Sequence, residues 1–231
     1  MSVASLDTHG ADVAVTAGRD REDIVVGGEI VRHRRSSRFI HFAVAATFIV
    51  CLLTGLPIWT PFFTWMATLF GGLSFCRWLH PWAGIFFAVS SLVMFVHWAG
   101  QMTFEPGEKS WLSPKRLMSY LEYRDDNTDV GKYNPGQKLQ FWCAILAAVG
   151  LLASGVVMWF PASFPQIVRE LSILLHSLTF ILFVMLITWH VYLGTAAEPG
   201  TFHSMTRGTV TKAWARLHHP KWYRQVMGLE K

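Results

Sequence analysis

Four stretches of the chain, 39–56, 78–98, 139–160 and 171–193, contain no Asp, Glu, Lys or Arg. Each is long enough to cross a hydrocarbon core of about 30 Å at about 1.5 Å per helical residue. They are apolar all round instead of along one stripe, so lipid is their solvent. The expectation is an all-α membrane protein, a four-transmembrane-helix bundle. Span one runs out at Gly55 and Pro57 into a loop carrying Trp59, Pro61, Trp65, Gly71 and Gly72, the composition of an interfacial aromatic belt with turns. Span two enters at Arg77 to Pro81. The loop 100–138 has balanced charge and an amphipathic middle, 114–123, suited to a short helix along the interface. It ends in Asn134-Pro135, where Asn can cap a helix and Pro fits the first helical position. No internal repeat is strong enough to read from the chain.

Composition agrees with this pattern, with 52% hydrophobic residues and eleven tryptophans. The placement of basic residues says more than the net charge of +5. Only Arg77 and Arg169 fall in the loops after spans one and three. The others gather before span one (Arg32, Arg34, Arg35, Arg38), between spans two and three, or after span four. Short basic loops stay inside, so both termini are expected in the cytoplasm. Residues 1–29 lack an apolar core and mix Asp7, Asp12, Asp20, Glu22 and Asp23 with small residues, which predicts a disordered tail and not a secretory leader. Residues 30–198 form the membrane domain, and 199–231 a basic, aromatic cytoplasmic tail suited to anionic headgroups or a partner subunit. Cys51, Cys76 and Cys143 share no CxxC spacing and read as small apolar residues.

Five histidines, His41, His80, His97, His176 and His190, lie in or at the ends of spans, where ionisable groups face partners or cofactors. His176 and His190 are 14 residues apart, which returns them to within about 40° of one helix face and separates them by about 21 Å. With the amino terminus inside, His80 and His176 are level near the outer face, and His41 and His190 near the inner face. Two neutral imidazoles facing each other suit six-coordinate haem iron, which carries electrons and leaves no position open to oxygen. His97 lies about 100° from His80 around span two and reads as an interfacial residue. Without a CxxCH motif the haems are b-type. Zinc fits less well, since each level supplies two donors where a closed site takes four. Arg38 and Arg77 each precede a ligand by three residues and can pair with haem propionates or serve as topology and headgroup arginines.

These residues carry a family likeness. The basic lead-in to His41, Leu79-His80-Pro81, the run Val130 to Lys138, Leu175-His176, His190-Val191-Tyr192 and the tail His218 to Arg224 resemble the gamma subunit of membrane-bound respiratory formate dehydrogenases, a di-haem cytochrome b. The likeness covers residues 30–225. It implies a bacterial inner-membrane subunit that takes electrons from an iron–sulfur beta subunit, itself fed by a molybdenum or tungsten alpha subunit that oxidises formate. It also implies passage through the outer haem (His80, His176) to the inner haem (His41, His190), and reduction of menaquinone or ubiquinone beside His190 and Asn134, with Gln137 adjacent. Asn134 is open to both cap and quinone readings. Pro135 and the long acidic tail depart from the family pattern. Beyond these partners and membrane lipid the likeness leaves room for a higher oligomer of the complex, and nothing points to nucleic acid. Two rivals stand beside it: the cytochrome b of a hydrogenase or thiosulfate reductase, and a haem-free membrane anchor or transporter. The spans lack the acidic residues that transport coupling uses.

Overall fold

A computed structural model of the chain describes residues 21–106, 108, 113 and 129–229; the interfacial helix expected over 114–123 lies outside the described residues. Four long helices dominate: α1 (Arg35–Trp59), α2 (Leu73–Trp98), α3 (Pro135–Trp159) and α4 (Gln166–Tyr192), which continues as a π-helical turn over Leu193–Ala197. With 25, 26, 25 and 27 residues, each is about 37 to 40 Å long. All four are long and apolar enough to cross a membrane. They outrun the charge-free stretches because polar and basic residues such as Arg35, Arg77 and Gln166 continue the helices into the headgroup region.

The α1–α2 connection is more regular than its Gly and Pro content suggests. Pro61–Phe70 forms a 3-10 helix, started by Thr60, whose hydroxyl accepts from the Phe62 N–H, and by Pro61 at its first position. Gly71 at φ 81° and Gly72 at φ 120° end it in conformations that side chains avoid. Phe62, Trp65 and Leu69 remain exposed on it, as an interfacial belt requires.

The chain divides into two units. The first comprises Ile40–Gly100 and Gln140–Trp189, the four helix bodies. Its centre is an aromatic plug in which Phe48 meets Phe183 edge-on at 4.8 Å and Phe87 lies 5.9 Å from both, with Ala148 filling the remaining space.

The second unit comprises the chain up to Phe39, Gln101–Leu139 and His190 onwards. It corrects two expectations. The fold is not all-α, because β1 (Ile24–Val26), β2 (Glu29–Val31) and β3 (Thr209–Thr211) form an antiparallel sheet in the order β1-β2-β3. Nor does the tail stay unstructured as far as residue 29, since the hairpin starts at Ile24 and turns through Gly27 and Gly28, both at positive φ. A lone two-stranded hairpin is marginal in water, and the third strand comes from about 180 residues further on, a partner no local pattern reveals. The carboxy-terminal segment is also ordered, as α5 (Thr201–Thr206), α6 (Lys212–His218) and α7 (Pro220–Val226), because its aromatic residues are core: Ile30, Val210, Trp214, Ala215 and Trp222 pack into one cluster.

Polar contacts close this unit. Arg32, only 3% exposed, donates to the Lys132 carbonyl at 2.6 Å and lies over the rings of Tyr133, Trp214 and Trp222. Burial pulls its guanidinium down to about 10. Lys132 bonds Glu22 at 2.7 Å and Asp23 at 3.0 Å. Burial alone would raise the Glu22 carboxyl, but Lys132, Ser37 and the Arg34 N–H together hold it below the ordinary value. His219, buried, donates from Nδ1 to the Gly131 carbonyl at 2.7 Å; burial and then the nearby Arg32 charge push it well below the ordinary histidine value. Gly208, at φ 89°, accepts from the Arg32 and His33 N–H groups so closely that a Cβ would lie 2.5 Å from the His33 carbonyl. Only glycine fits there.

Candidate functional site

His80 on α2 and His176 on α4 face each other inside the helix bundle, their ring centres 6.3 Å apart. Two metal–nitrogen bonds of about 2.0–2.1 Å, each followed by about 1.1 Å to a ring centre, would set collinear imidazoles about 6.2 to 6.4 Å apart. The observed ring-centre spacing leaves room for one metal ion between the two rings.

The tautomers follow from two hydroxyls. Thr54 on α1 lies 2.7 Å from the Val50 carbonyl, to which it can donate, and 3.1 Å from His80 Nδ1; with its proton on the carbonyl, its oxygen is an acceptor for the ring. Likewise Ser154 on α3 donates to the Gly150 carbonyl at 2.6 Å and accepts from His176 Nδ1 at 2.9 Å. Protonated Nδ1 leaves Nε2 as the lone-pair nitrogen on both rings, the form in which neutral imidazole binds a metal.

A cavity of about 490 Å³ opens around this pair, within the range of cofactor pockets. It is mostly apolar, floored by Phe48 and Phe87. Arg77 lines it as well, where its charge can meet a carboxylate-bearing ligand. Gly55 and Gly155 make the space: a Cβ on Gly55 would lie 2.8 Å from His80 Cε1, and one on Gly155 3.5 Å from His176 Cε1. Among the described residues no group of three or more His, Cys, Asp or Glu side chains could hold a metal ion. The chain offers two axial donors and a large apolar slot, which fits an iron whose remaining ligands come from a tetrapyrrole.

The other residues singled out in the sequence are placed differently. His41 is half-buried, edge-on to Phe42 at 5.2 Å, in the unit of helix bodies. His190 is exposed near the end of α4 and opens the last segment of the other unit. His97 packs edge-on against Trp98 at 4.6 Å. Asn134 is a helix cap: its Oδ1 accepts from the Gln137 N–H at 2.8 Å while Gln137 Oε1 accepts from the Asn134 N–H at 3.1 Å. This reciprocal box uses the oxygen of each amide and leaves each NH₂ a donor. Arg38 donates to the carbonyls of Met205, Thr206 and Arg207, closing the end of α5. These bonds commit the Arg38 guanidinium to that helix end instead of to a propionate.

Sequence reasoning missed Thr54 and Ser154. The available signal was a short repeat, Thr54-Gly55 followed by Trp59 and Ser154-Gly155 followed by Trp159.

A bundle of four membrane-length helices holding paired imidazoles at single-metal spacing in an apolar slot defines a membrane cytochrome of the b type. The chain belongs to the prokaryotic cytochrome b561 family, whose model matches residues 32–208. That membership implies haem b. The chain is 34% identical over 200 residues to the formate dehydrogenase cytochrome b556(fdo) subunit of Escherichia coli strain K12, covering 85% of this chain and 93% of that protein. It is 32% identical over 201 residues to the nitrate-inducible formate dehydrogenase cytochrome b556(Fdn) subunit of the same strain, covering 85% and 91%. A formate dehydrogenase cytochrome b556 subunit of Haemophilus influenzae is 34% identical over 203 residues, covering 85% and 83%.

Proposed function

We propose that the chain is the membrane electron-transfer subunit of a formate dehydrogenase complex, carrying electrons from an iron–sulfur subunit through two b haems to a quinone. The observation that carries the reading is the His80–His176 pair, 6.3 Å between ring centres, with each Nδ1 occupied by a hydroxyl contact. The names of the relatives supply the complex.

In this reading the chain lies in a bacterial inner membrane with both termini cytoplasmic. His80 and His176 hold the haem nearer the outer face, and Arg77 pairs with its propionates. His41 and His190 hold a second haem nearer the inner face, on the strength of their level along the spans. A haem held by these histidines would supply one-electron exchange at its iron. The residues hold the rings rigid, keep water out and orient the acceptor. The NH₂ groups of Asn134 and Gln137, left over by the capping box, donate to a quinone carbonyl near His190. Inward electron transfer against a membrane negative inside costs about 2.3 kcal/mol per charge per 100 mV, supplied by the drop from formate to quinone. Protons taken up from the inner side at quinone reduction then complete a charge-separating half-loop.

The test is a reduced-minus-oxidised optical spectrum of the purified complex with pyridine haemochrome quantification, using formate and dithionite in turn. Two b haems per chain reduced by formate are expected. Haem reducible by dithionite but not by formate in an active complex would assign the chain to another dehydrogenase, such as a hydrogenase, and absence of haem would leave a membrane anchor. Within the complex, His41→Ala or His190→Ala should abolish quinone reduction while the outer haem still accepts electrons; quinone reduction without the inner haem would defeat the assignment.

A further inference from the structure

The bundle is a doubled hairpin. Residues on α1 and α3 that line the cavity fall 100 positions apart: Leu52 and Leu152, Gly55 and Gly155, Trp59 and Trp159. On α2 and α4 the matching offset is 96, pairing His80 with His176 and the plug residues Phe87 with Phe183. Each hairpin contributes the same four parts: a hydroxyl, the glycine after it, a tryptophan four residues beyond that glycine, and a histidine on the returning helix. The hydroxyl serves the histidine of its own hairpin, Thr54 for His80 and Ser154 for His176. The tryptophan crosses to the other, Trp59 meeting Phe180 at 5.6 Å and Trp159 meeting Trp82 at 5.3 Å.

We infer that Thr54 and Ser154 are positioning residues that fix the ligating tautomer of the two histidines and hold down the reduction potential of the iron they bind. This rests on the haem reading above and adds to it the residues that set the electronics of the site. Both hydroxyls are shut away, Thr54 at 0% and Ser154 at 1% exposure. Hydroxyls at such depth are expensive unless bonded, and each could satisfy itself on its own helix carbonyl alone. Instead each also meets an imidazole Nδ1. With its proton on the carbonyl four residues earlier, each hydroxyl oxygen accepts from the ring, beside the Cys51 or Leu151 carbonyl. An imidazole that gives its Nδ1–H to an acceptor is the more basic ligand at Nε2. Greater basicity favours ferric over ferrous iron, so the two hydroxyls together lower the potential, and in a haem that receives electrons they set how readily it passes them on. Alternation of the same device on both sides of one ion makes the effect additive from two independent residues.

The experiment uses the intact complex carrying Thr54→Val or Ser154→Ala, near-isosteric changes that delete the acceptor, beside the conservative Thr54→Ser and Ser154→Thr. Redox titration at the haem absorbance and low-temperature electron paramagnetic resonance of the oxidised form are the readouts. Deletion of either hydroxyl should raise the midpoint potential of one of the haems and shift its ferric signal. The double deletion should raise it further, and the conservative pair should stay near the unaltered complex. Loss of that haem in the deletions but not in the conservative variants would equally support a required hydroxyl. Unchanged potential and ferric signal in haem-loaded deletions, or equal loss in deletions and conservative variants, would overturn the inference and reduce both residues to packing. Absence of haem from the unaltered complex would instead remove the haem reading itself.

Discussion

The helix bodies and the polar unit bury their ionisable groups in opposite ways. In the bundle His80 and His176 sit beside an apolar cavity, each meeting one hydroxyl, Thr54 or Ser154, and one backbone carbonyl, that of Cys51 or Leu151. In the other unit Arg32, Lys132, Glu22 and Asp23 are drawn from segments about 100 residues apart and balance one another through ion pairs and aromatic faces. The first arrangement keeps imidazoles neutral and available to a metal; the second consumes its charges in holding the chain together. A buried histidine pair beside an apolar cavity marks a site, whereas charges paired with one another and laid on aromatic faces mark a scaffold.

Changes at the ligands test this contrast most severely. His80→Ala or His176→Ala should remove one haem per chain in pyridine haemochrome assays, while hydrogen exchange in 206–226 stays unchanged. Next in size is a difference between two glycines. Gly55→Ala places a Cβ 2.8 Å from a ring already pinned by Thr54 and should displace the ligand, whereas Gly155→Ala, at 3.5 Å, is ordinary contact and should keep it. Equal haem content in the two variants would show that the rings are not held where they stand.

Acid should act on the polar unit. His219 and Glu22 both have folded-state values below their ordinary 6.5 and 4.5. The unfolded chain therefore binds protons that the folded one refuses, so stability is full above about 6.5 and falls as pH drops, first through His219 and then through Glu22. Relative to the intrinsic exchange rate at each pH, hydrogen exchange of 206–226 should accelerate between about pH 6.5 and 4 before that of 140–160 does. Parallel acceleration in both would deny that these groups guard the unit. The smallest effect is expected from Asn134→Ala, which removes a cap worth about 1 kcal/mol. It should weaken a quinone-site inhibitor while leaving both haem spectra in place; unchanged inhibitor affinity would return Asn134 to capping alone.

Much of this was legible before any coordinates. Charge-free stretches reveal spans because lipid cannot solvate a charge, and the 14-residue interval between His176 and His190 is a helix-face statement in itself. Asn134-Pro135 announced its helix start for the same local reason. The level of His80 with His176 followed from the order of the spans, and the rings do meet.

What the chain alone did not reveal depended on contacts between distant segments. The tail read as disordered because residues 1–29 lack an apolar core; Lys132 pairs with Glu22 and Asp23, and a strand from residues 209–211 makes residues 24–31 part of a sheet. Arg38 stood at the right interval for a propionate, and only the fold showed its guanidinium bound to the end of α5. Thr54 and Ser154 resemble any small polar residues in a span until the returning helix brings an imidazole to each. Sequence determined which segments enter lipid and which side chains could bind iron, since both follow from transfer energies and helical periodicity. Tertiary structure decided which hydroxyl answers which histidine and which charges are spent on the scaffold, since a hydrogen bond is settled by tenths of an ångström between residues that the chain keeps far apart.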